Sequence, residues 1–200
     1  MKITDIRPQV KRANRYSVFV DKKYTFSLGE SELIRLGIHS GQEVSVTEIE
    51  SFKGLSKLDK IYGLALQLVV RRPRSEKELR DYLRRKGHDE DGATFILNKL
   101  TVNGLVDDEA FATSWVANRR LLKPTSLRKL QLELRQKGIS SETIEKVLAE
   151  DEVSDSSVLM DIIARKRRQT KYQDDMKLMQ YLARQGFGYG DIKSALTDKD

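Results

Sequence analysis

The chain has 200 residues and no cysteine, which allows one long domain or two small ones and excludes disulfides and thiolate metal sites. Hydrophobic residues make up 38% and charged residues 34%, and no apolar run approaches the roughly 18 residues of a membrane span. Lysine and arginine number 37 against 30 aspartates and glutamates, and the net charge of +7 points to a polyanion or an acidic protein surface as partner.

The first residues, MKITDIRPQV, lack the apolar core of a signal peptide, and with the absence of cysteine this sets the expectation of a cytoplasmic protein. Residues 1–53 read as a small β-rich module. Tyr16–Val20 and Tyr24–Leu28 alternate around the polar turn Asp21-Lys22-Lys23, the pattern of a β-hairpin. Ser31–Leu36 makes a short helix stopped by Gly37, and Val44-Ser45-Val46 is expected to add a third strand.

From Leu55 onward the pattern is helical. Ser56 and Asp59 read as a capping box that starts a helix running through Ile61, Leu64, Ala65 and Leu68 to Arg72, where Pro73 ends it. Ser75 and Glu78 form the capping box of the next helix. A third carries Ala93, Ile96, Leu97 and Leu100 and ends before Gly104. A second unit opens at Asp107, with Asp108 and Glu109 in the first turn, where negative charge meets the helix dipole favourably. Phe111, Trp115 and Val116 form its apolar stripe, Lys123-Pro124-Thr125 breaks it, and helices over 126–137 and 140–150 follow. A third unit starts near Ser154, turns Val158, Ile162 and Ile163 inward, and ends with Ile192 and Leu196.

Three related stretches organise these units: SEKELRDYLRRKG at 75–87, SLRKLQLELRQKG at 126–138 and DDMKLMQYLARQG at 174–186. Each holds a leucine pair at i, i+4 (Leu79 and Leu83, Leu130 and Leu134, Leu178 and Leu182) and closes on a glycine suited to a left-handed C-cap. His88, Ile139 and Phe187 follow, placed to fold back on the last turn. The glycines stand 51 and 48 residues apart, the signature of a helical repeat protein. The expected architecture is mainly α: three tandem three-helix repeats, similar to helix-turn-helix modules, over 54–106, 107–152 and 153–200, behind the N-terminal module.

The basic residues recur with the repeats. The first helices end in Arg71-Arg72, Arg119-Arg120 and Arg167-Arg168, each pair 48 residues from the next. Arg84, Arg85 and Lys86 close one second helix, Arg135 and Lys137 another, and Arg165, Lys166 and Lys171 surround the last pair. Cations at helix C-termini also offset the macrodipole. Their recurrence in register favours a basic face that meets phosphate. The third helices begin His88-Asp89-Glu90-Asp91, Ser140-Ser141-Glu142 and Gly188-Tyr189-Gly190-Asp191, whose carboxylates repel phosphate, so major-groove readout is disfavoured. Sequence-independent contact to the DNA backbone stays open. No Walker loop, GxGxxG, HExxH or Cys/His metal spacing occurs, and no carboxylate cluster for a nuclease can be assembled. Trp115 and Phe111, at helical spacing, read as core.

Arg72-Pro73-Arg74-Ser75 with Glu78-Leu79, Lys86-Gly87, Asn103-Gly104-Leu105-Val106-Asp107-Asp108 with Phe111-Ala112, Arg119, Leu130 through Lys137-Gly138-Ile139, and Gly186-Phe187 together resemble the RecX family of bacterial regulators of the RecA recombinase. The resemblance covers Leu55 to the C-terminus, and the N-terminal module resembles the extension of longer members. At Lys123-Pro124-Thr125 the chain departs from the glycine that many members carry. The resemblance implies a curved, elongated array with no enzymatic activity and no cofactor. It implies binding to the RecA–DNA filament, in its groove or at its growing end, that lowers ATP hydrolysis, strand exchange and the stimulation of repressor self-cleavage; separately, a monomer is expected. Recombination, DNA repair and the SOS response would thereby be modulated. The candidate contacts to RecA or to single- or double-stranded DNA are the basic residues above together with Arg74. The alternative is a sequence-independent DNA-binding or architectural protein acting without RecA.

Overall fold

The computed structural model describes residues 1–10 and 14–197. Among them are ten α-helices and one three-stranded antiparallel sheet at the N-terminal end. The chain divides into two compact units, Met1–Arg72 with Tyr82–Leu105, and Pro73–Asp81 with the chain from Val106 onward.

In the first unit, β1 (Ile3–Pro8), β2 (Arg15–Val20) and β3 (Lys23–Gly29) pair in that order. The expected hairpin is present. Asp21 and Lys22 take φ of 47° and 65°, the left-handed pair that a tight two-residue turn needs. The third strand lies elsewhere than expected. It is β1, whereas Val44–Val46 contributes no strand and only an isolated bridge joins Lys2 to Glu43. Helix capping wins at Ser45: its hydroxyl accepts from Glu48 N at 3.1 Å, its own N–H donates to the Glu48 carboxylate at 2.7 Å, and Val46 becomes the first helical residue. The inward residues Ile3, Val18, Val20, Phe26 and Leu28 pack against Leu33 of α1 (Glu30–Arg35) and against Ile38, Val44 and Ile49. Each large aliphatic buried here contributes roughly 1.5–3 kcal/mol.

Helix α2 therefore spans Val46–Arg71 without a break at Ser56. Ser56 and Asp59 do not start a helix; they face the edge of the sheet. Ser56 Oγ donates to the Ser27 carbonyl at 2.6 Å, and Asp59 accepts from Gly29 N at 2.9 Å and from Arg15 Nη1 at 2.6 Å. Unpaired main-chain groups of the edge strand β3 are satisfied by helix side chains in this way. The unit is completed by the later part of α3 (Glu76–Arg85) and by α4 (Glu90–Val102), which is capped by Asp89 and buries Ala93, Ile96, Leu97 and Leu100. Burial pushes the Glu32 carboxyl up, but hydrogen bonds from Arg35 and Lys99 outweigh this and hold it below its ordinary range.

The second unit holds α5 (Asp108–Leu122), α6 (Leu127–Gln136) and α7 (Ser141–Ala149), which close on Phe111, Ala112, Val116, Leu130, Leu134, Ile139, Ile144 and Val147. Then α8 (Asp155–Arg167), α9 (Asp175–Arg184) and α10 (Tyr189–Thr197) close on Val158, Leu159, Ile162, Ile163, Leu178, Leu182, Phe187 and Ile192. A short 3-10 turn, Thr170–Tyr172, adds the buried ring of Tyr172 to this second cluster. All six repeat leucines are fully buried. Gly87, Gly138 and Gly186 have φ of 78°, 84° and 91°. The N–H groups of His88, Ile139 and Phe187 return to the carbonyls of Leu83, Leu134 and Leu182 at 3.2, 3.1 and 3.4 Å, closing the helix ends as the glycine positions imply.

Candidate polyanion interface and the seam that positions it

Within the second unit, the amino end of one second helix docks on the carboxyl end of the next, and this happens twice. At the start of α3, Ser75 Oγ accepts from Glu78 N at 3.2 Å and donates to the Lys137 carbonyl at 2.7 Å. Glu76 N donates to Asp108 Oδ1 at 2.8 Å, and Lys137 Nζ donates to the Glu78 carboxylate at 2.5 Å. At the start of α6, Thr125 Oγ1 and Ser126 N donate to the Gln185 carbonyl at 2.8 and 3.1 Å. Leu127 N donates to Asp155 Oδ1 at 2.8 Å, and Lys129 Nζ donates to the Arg184 carbonyl at 2.6 Å. Unpaired N–H groups at a helix start and unpaired carbonyls at a helix end thus satisfy one another, with the two macrodipoles head to tail.

The glycines are needed here for more than their φ. A Cβ on Gly138 would lie 2.5 Å from Lys77 Cβ, and one on Gly186 would overlap Ser126 Oγ and lie 2.9 Å from Lys129 Cβ. At Gly87 a Cβ would meet nothing within 4 Å, so that glycine is required by its backbone angle alone. Burial pushes the Asp108 carboxyl above its ordinary range; the Glu76 N–H opposes this, and the Glu76 and Asp107 carboxylates add to it. Lys123-Pro124-Thr125 forms the break without a glycine, because Lys123 ends α5 at φ −148°, which any residue adopts.

The basic residues divide into those that hold the fold and those that face solvent. Arg120, with its side chain 10% exposed, donates to Asp151 at 2.8 Å and to the Thr125 carbonyl at 2.8 Å. Arg167 donates to the carbonyls of Tyr172 and Gln173 at 3.1 and 2.7 Å and pairs with Asp175. Both arginines stand twelve residues after the first residue of their helix, Asp108 or Asp155. The structural match is therefore Arg120 with Arg167, one position off the 48-residue spacing of the paired arginines. Arg119 bonds Glu133 at 2.7 Å and lies 4.9 Å from the centre of the Trp115 ring, with Lys137 4.8 Å from the same ring. Trp115 is thus half-buried at the edge of the core, its indole N–H bonded to Glu133 at 3.0 Å.

Arg135, Arg165, Arg168 and Lys171 are exposed in the second unit, and Arg74 and Lys166 are half-buried. In the first unit Arg71, Arg72, Arg84, Arg85 and Lys86 are exposed; Arg84 lies 3.8 Å from Glu90, and Lys86 lies 5.8 Å from the Tyr82 ring centre. Lys123, part of a break in the sequence pattern, is exposed, and the rings of Tyr172 and Tyr181 pack 5.3 Å apart beneath Lys166. Two tyrosines nine residues apart across a loop carry no helical or strand period that would have drawn them together. The first turns of α4, α7 and α10 hold Glu90, Asp91, Glu142 and Asp191 as expected. Among the described residues, no group of three or more His, Asp or Glu is placed to hold a metal ion, and no helix is long and apolar enough to cross a membrane.

Comparison with known proteins gives the context for this arrangement. Residues 1–45 match the regulatory protein RecX N-terminal domain, 62–100 the first RecX three-helix domain and 107–148 the second. The chain is 32% identical over 205 residues to a regulatory protein RecX of Listeria monocytogenes, covering 99% of this chain and 76% of that one. It is 28% identical over 204 residues to the regulatory protein RecX of Clostridium botulinum, covering 98% and 95%. A crystal structure of regulatory protein RecX superposes with a TM-score of 0.75 at 28% identity, covering 97% of this chain and 98% of that one. On these matches and on the repeated three-helix architecture, the chain belongs to the RecX family of regulatory proteins.

Proposed function

We propose that this protein restrains the RecA recombinase by binding the RecA–DNA filament, acting in the cytoplasm as a monomeric regulator with no catalytic step and no cofactor. Recombination, DNA repair and the SOS response would be modulated through that contact. The reading is supported by family membership. The observation that carries it is the doubled seam, which fixes the spacing of successive helices while leaving Arg135, Arg165, Arg168 and Lys171 exposed on them. Elements at fixed spacing add weak contacts through multivalency. The contact residues proposed are these four together with Arg71, Arg72, Arg85 and Lys86. The repeats proposed to carry them are 54–106, 107–152 and 153–200.

The test adds the protein to RecA filaments on single-stranded DNA and follows ATP turnover. Suppression at near-stoichiometric protein is expected. The exposed cations would also serve a sequence-independent DNA-binding protein acting without RecA. That reading requires inhibition to vanish when DNA is in excess and no retention on DNA-free recombinase.

A further inference from the structure

A cleft of about 330 Å³ opens in the second unit where α5 ends beside α8 and α9. Its size lies at the lower end of the range for small-ligand sites, roughly 300–1,000 Å³. The lining has two characters. Lys123, Arg165 and Lys166 bring three positive charges, and among the described residues no carboxylate lines the cleft. Leu122, Pro124 and Tyr181 bring an apolar and aromatic wall. Leu122 is 75% exposed at the end of its helix, a large aliphatic that the fold leaves uncovered beside the cations.

Among the described residues no carboxylate pairs with these three cations. Lys166 Nζ sits 4.5 Å from the Tyr181 ring centre and 5.1 Å from that of Tyr172, so aromatic faces fix its position without removing its charge. Lys123 and Arg165 are exposed. Burial lowers the pKa of Lys129, Glu133 opposes the shift, and repulsion from Lys123 and Arg119 adds to it.

We propose that this cleft binds one nucleotide of a single-stranded nucleic acid. The phosphate meets Lys123, Arg165 and Lys166, and the base lies against Leu122, Pro124 and Tyr181. Single strands are bound by this combination of cations along the backbone and an aromatic or apolar platform for an unstacked base. A duplex keeps its base faces stacked and offers the cleft only phosphate. Gln169 at the rim supplies an amide that can donate to and accept from a base edge. An acidic peptide would use the cations but has no flat face for the Tyr181 wall. The inference rests on the proposed function only in choosing nucleic acid among polyanions.

The test uses the full chain without recombinase and the fluorescence anisotropy of labelled oligothymidylate. The triple variant Lys123→Gln/Arg165→Gln/Lys166→Gln is expected to weaken single-strand binding about tenfold or more and to reduce the salt slope by about 0.7, the value of one phosphate contact on a single strand. Binding to a duplex of equal length is expected to fall no more than about threefold. Tyr181→Leu, which removes the ring, is expected to weaken the normal strand about fivefold or more and an abasic strand of equal phosphate count by no more than about twofold, the share lost through Lys166. Tyr181→Phe keeps the ring and retains binding, and unchanged thermal melting of each variant establishes that it is folded. Equal losses on strand and duplex, or an equal loss on the abasic strand, would overturn the proposal. So would displacement of the oligonucleotide by polyglutamate at equal charge with the same dependence on these variants, which would make the cleft an acidic-peptide site. Because recombinase is absent, failure here leaves the filament reading untouched, and failure of that reading leaves this one standing.

Discussion

The hydroxyl of Ser75 donates to the main-chain carbonyl of Lys137 at 2.7 Å, joining positions 62 residues apart in sequence. The same hydroxyl accepts from Glu78 N, so one side chain caps the helix that begins and the helix that ends. Fifty residues on, Thr125 and Ser126 divide this task between them on the Gln185 carbonyl.

The first expectation concerns the glycines. Gly87→Ala should lose about 1–2 kcal/mol, the strain of a left-handed L-residue. Gly138→Ala and Gly186→Ala should lose about 3 kcal/mol or more, because overpacking against Lys77 or against Ser126 and Lys129 is added to that strain. Urea unfolding of the three variants gives the comparison. Equal losses at all three positions would mean that the seam contributes nothing beyond backbone angle.

Asp108 gives a second. Its carboxyl is held above its ordinary 3.8, so the folded chain binds that proton more readily than the unfolded one. Stability therefore falls as pH rises from the ordinary value through the raised one, and the full penalty is present at neutral pH. Asp108→Asn keeps an oxygen for the Glu76 N–H and carries no charge, so it should match or exceed the parent at pH 7, with the advantage gone below pH 3.8. Asp108→Ala leaves the Glu76 N–H without its acceptor and should lose about 1–3 kcal/mol. Melting temperature against pH for the three proteins measures this.

The repeat, its leucines and its capping glycines were legible in the sequence because each is a local pattern with a fixed period. The hairpin was legible for the same reason. What misled was a correct motif in the wrong context: Ser56 and Asp59 have capping spacing, but the same spacing puts both on one helix face, where the edge of β3 uses them. The charge pattern also divides on a tertiary fact. Arg120 and Arg168 look alike in sequence, yet Arg120 has Asp151 beside it, supplied by the loop after α7 31 residues away, and Arg168 is exposed. The cleft under Lys166 depends on residues from three helices, and no spacing within one helix announces it.

That difference between the arginines is itself testable. Arg120→Ala should destabilise by about 3–5 kcal/mol, because it strands the buried carboxylate of Asp151. Arg135→Gln combined with Arg168→Gln should leave melting unchanged and flatten the salt dependence of DNA binding by about 1–2, at about 0.7–0.9 per phosphate contact. A lower salt slope for Arg120→Gln with unchanged melting would place that residue on the binding surface instead.

In the first unit, Asp59→Ala removes the partner of Arg15, whose side chain is 9% exposed, and the acceptor of Gly29 N. A loss of about 3–5 kcal/mol is expected from the stranded guanidinium. Hydrogen exchange should show it as earlier opening of β3 and of the middle of α2. An unchanged exchange pattern would mean that the apolar core of the sheet alone holds the helix.

The proposed restraint of a recombinase filament depends on the helix spacing that the seam fixes within the second unit. It is tested most directly by ATP turnover of RecA filaments on single-stranded DNA with the intact chain and with Gly138→Val, compared at equal folded concentration. The intact chain should suppress turnover at near-stoichiometric amounts. The variant should need about tenfold more protein, the scale on which linked contacts lose avidity when their geometry is broken. Unchanged turnover with the intact chain, at concentrations where it demonstrably binds DNA, would contradict the account.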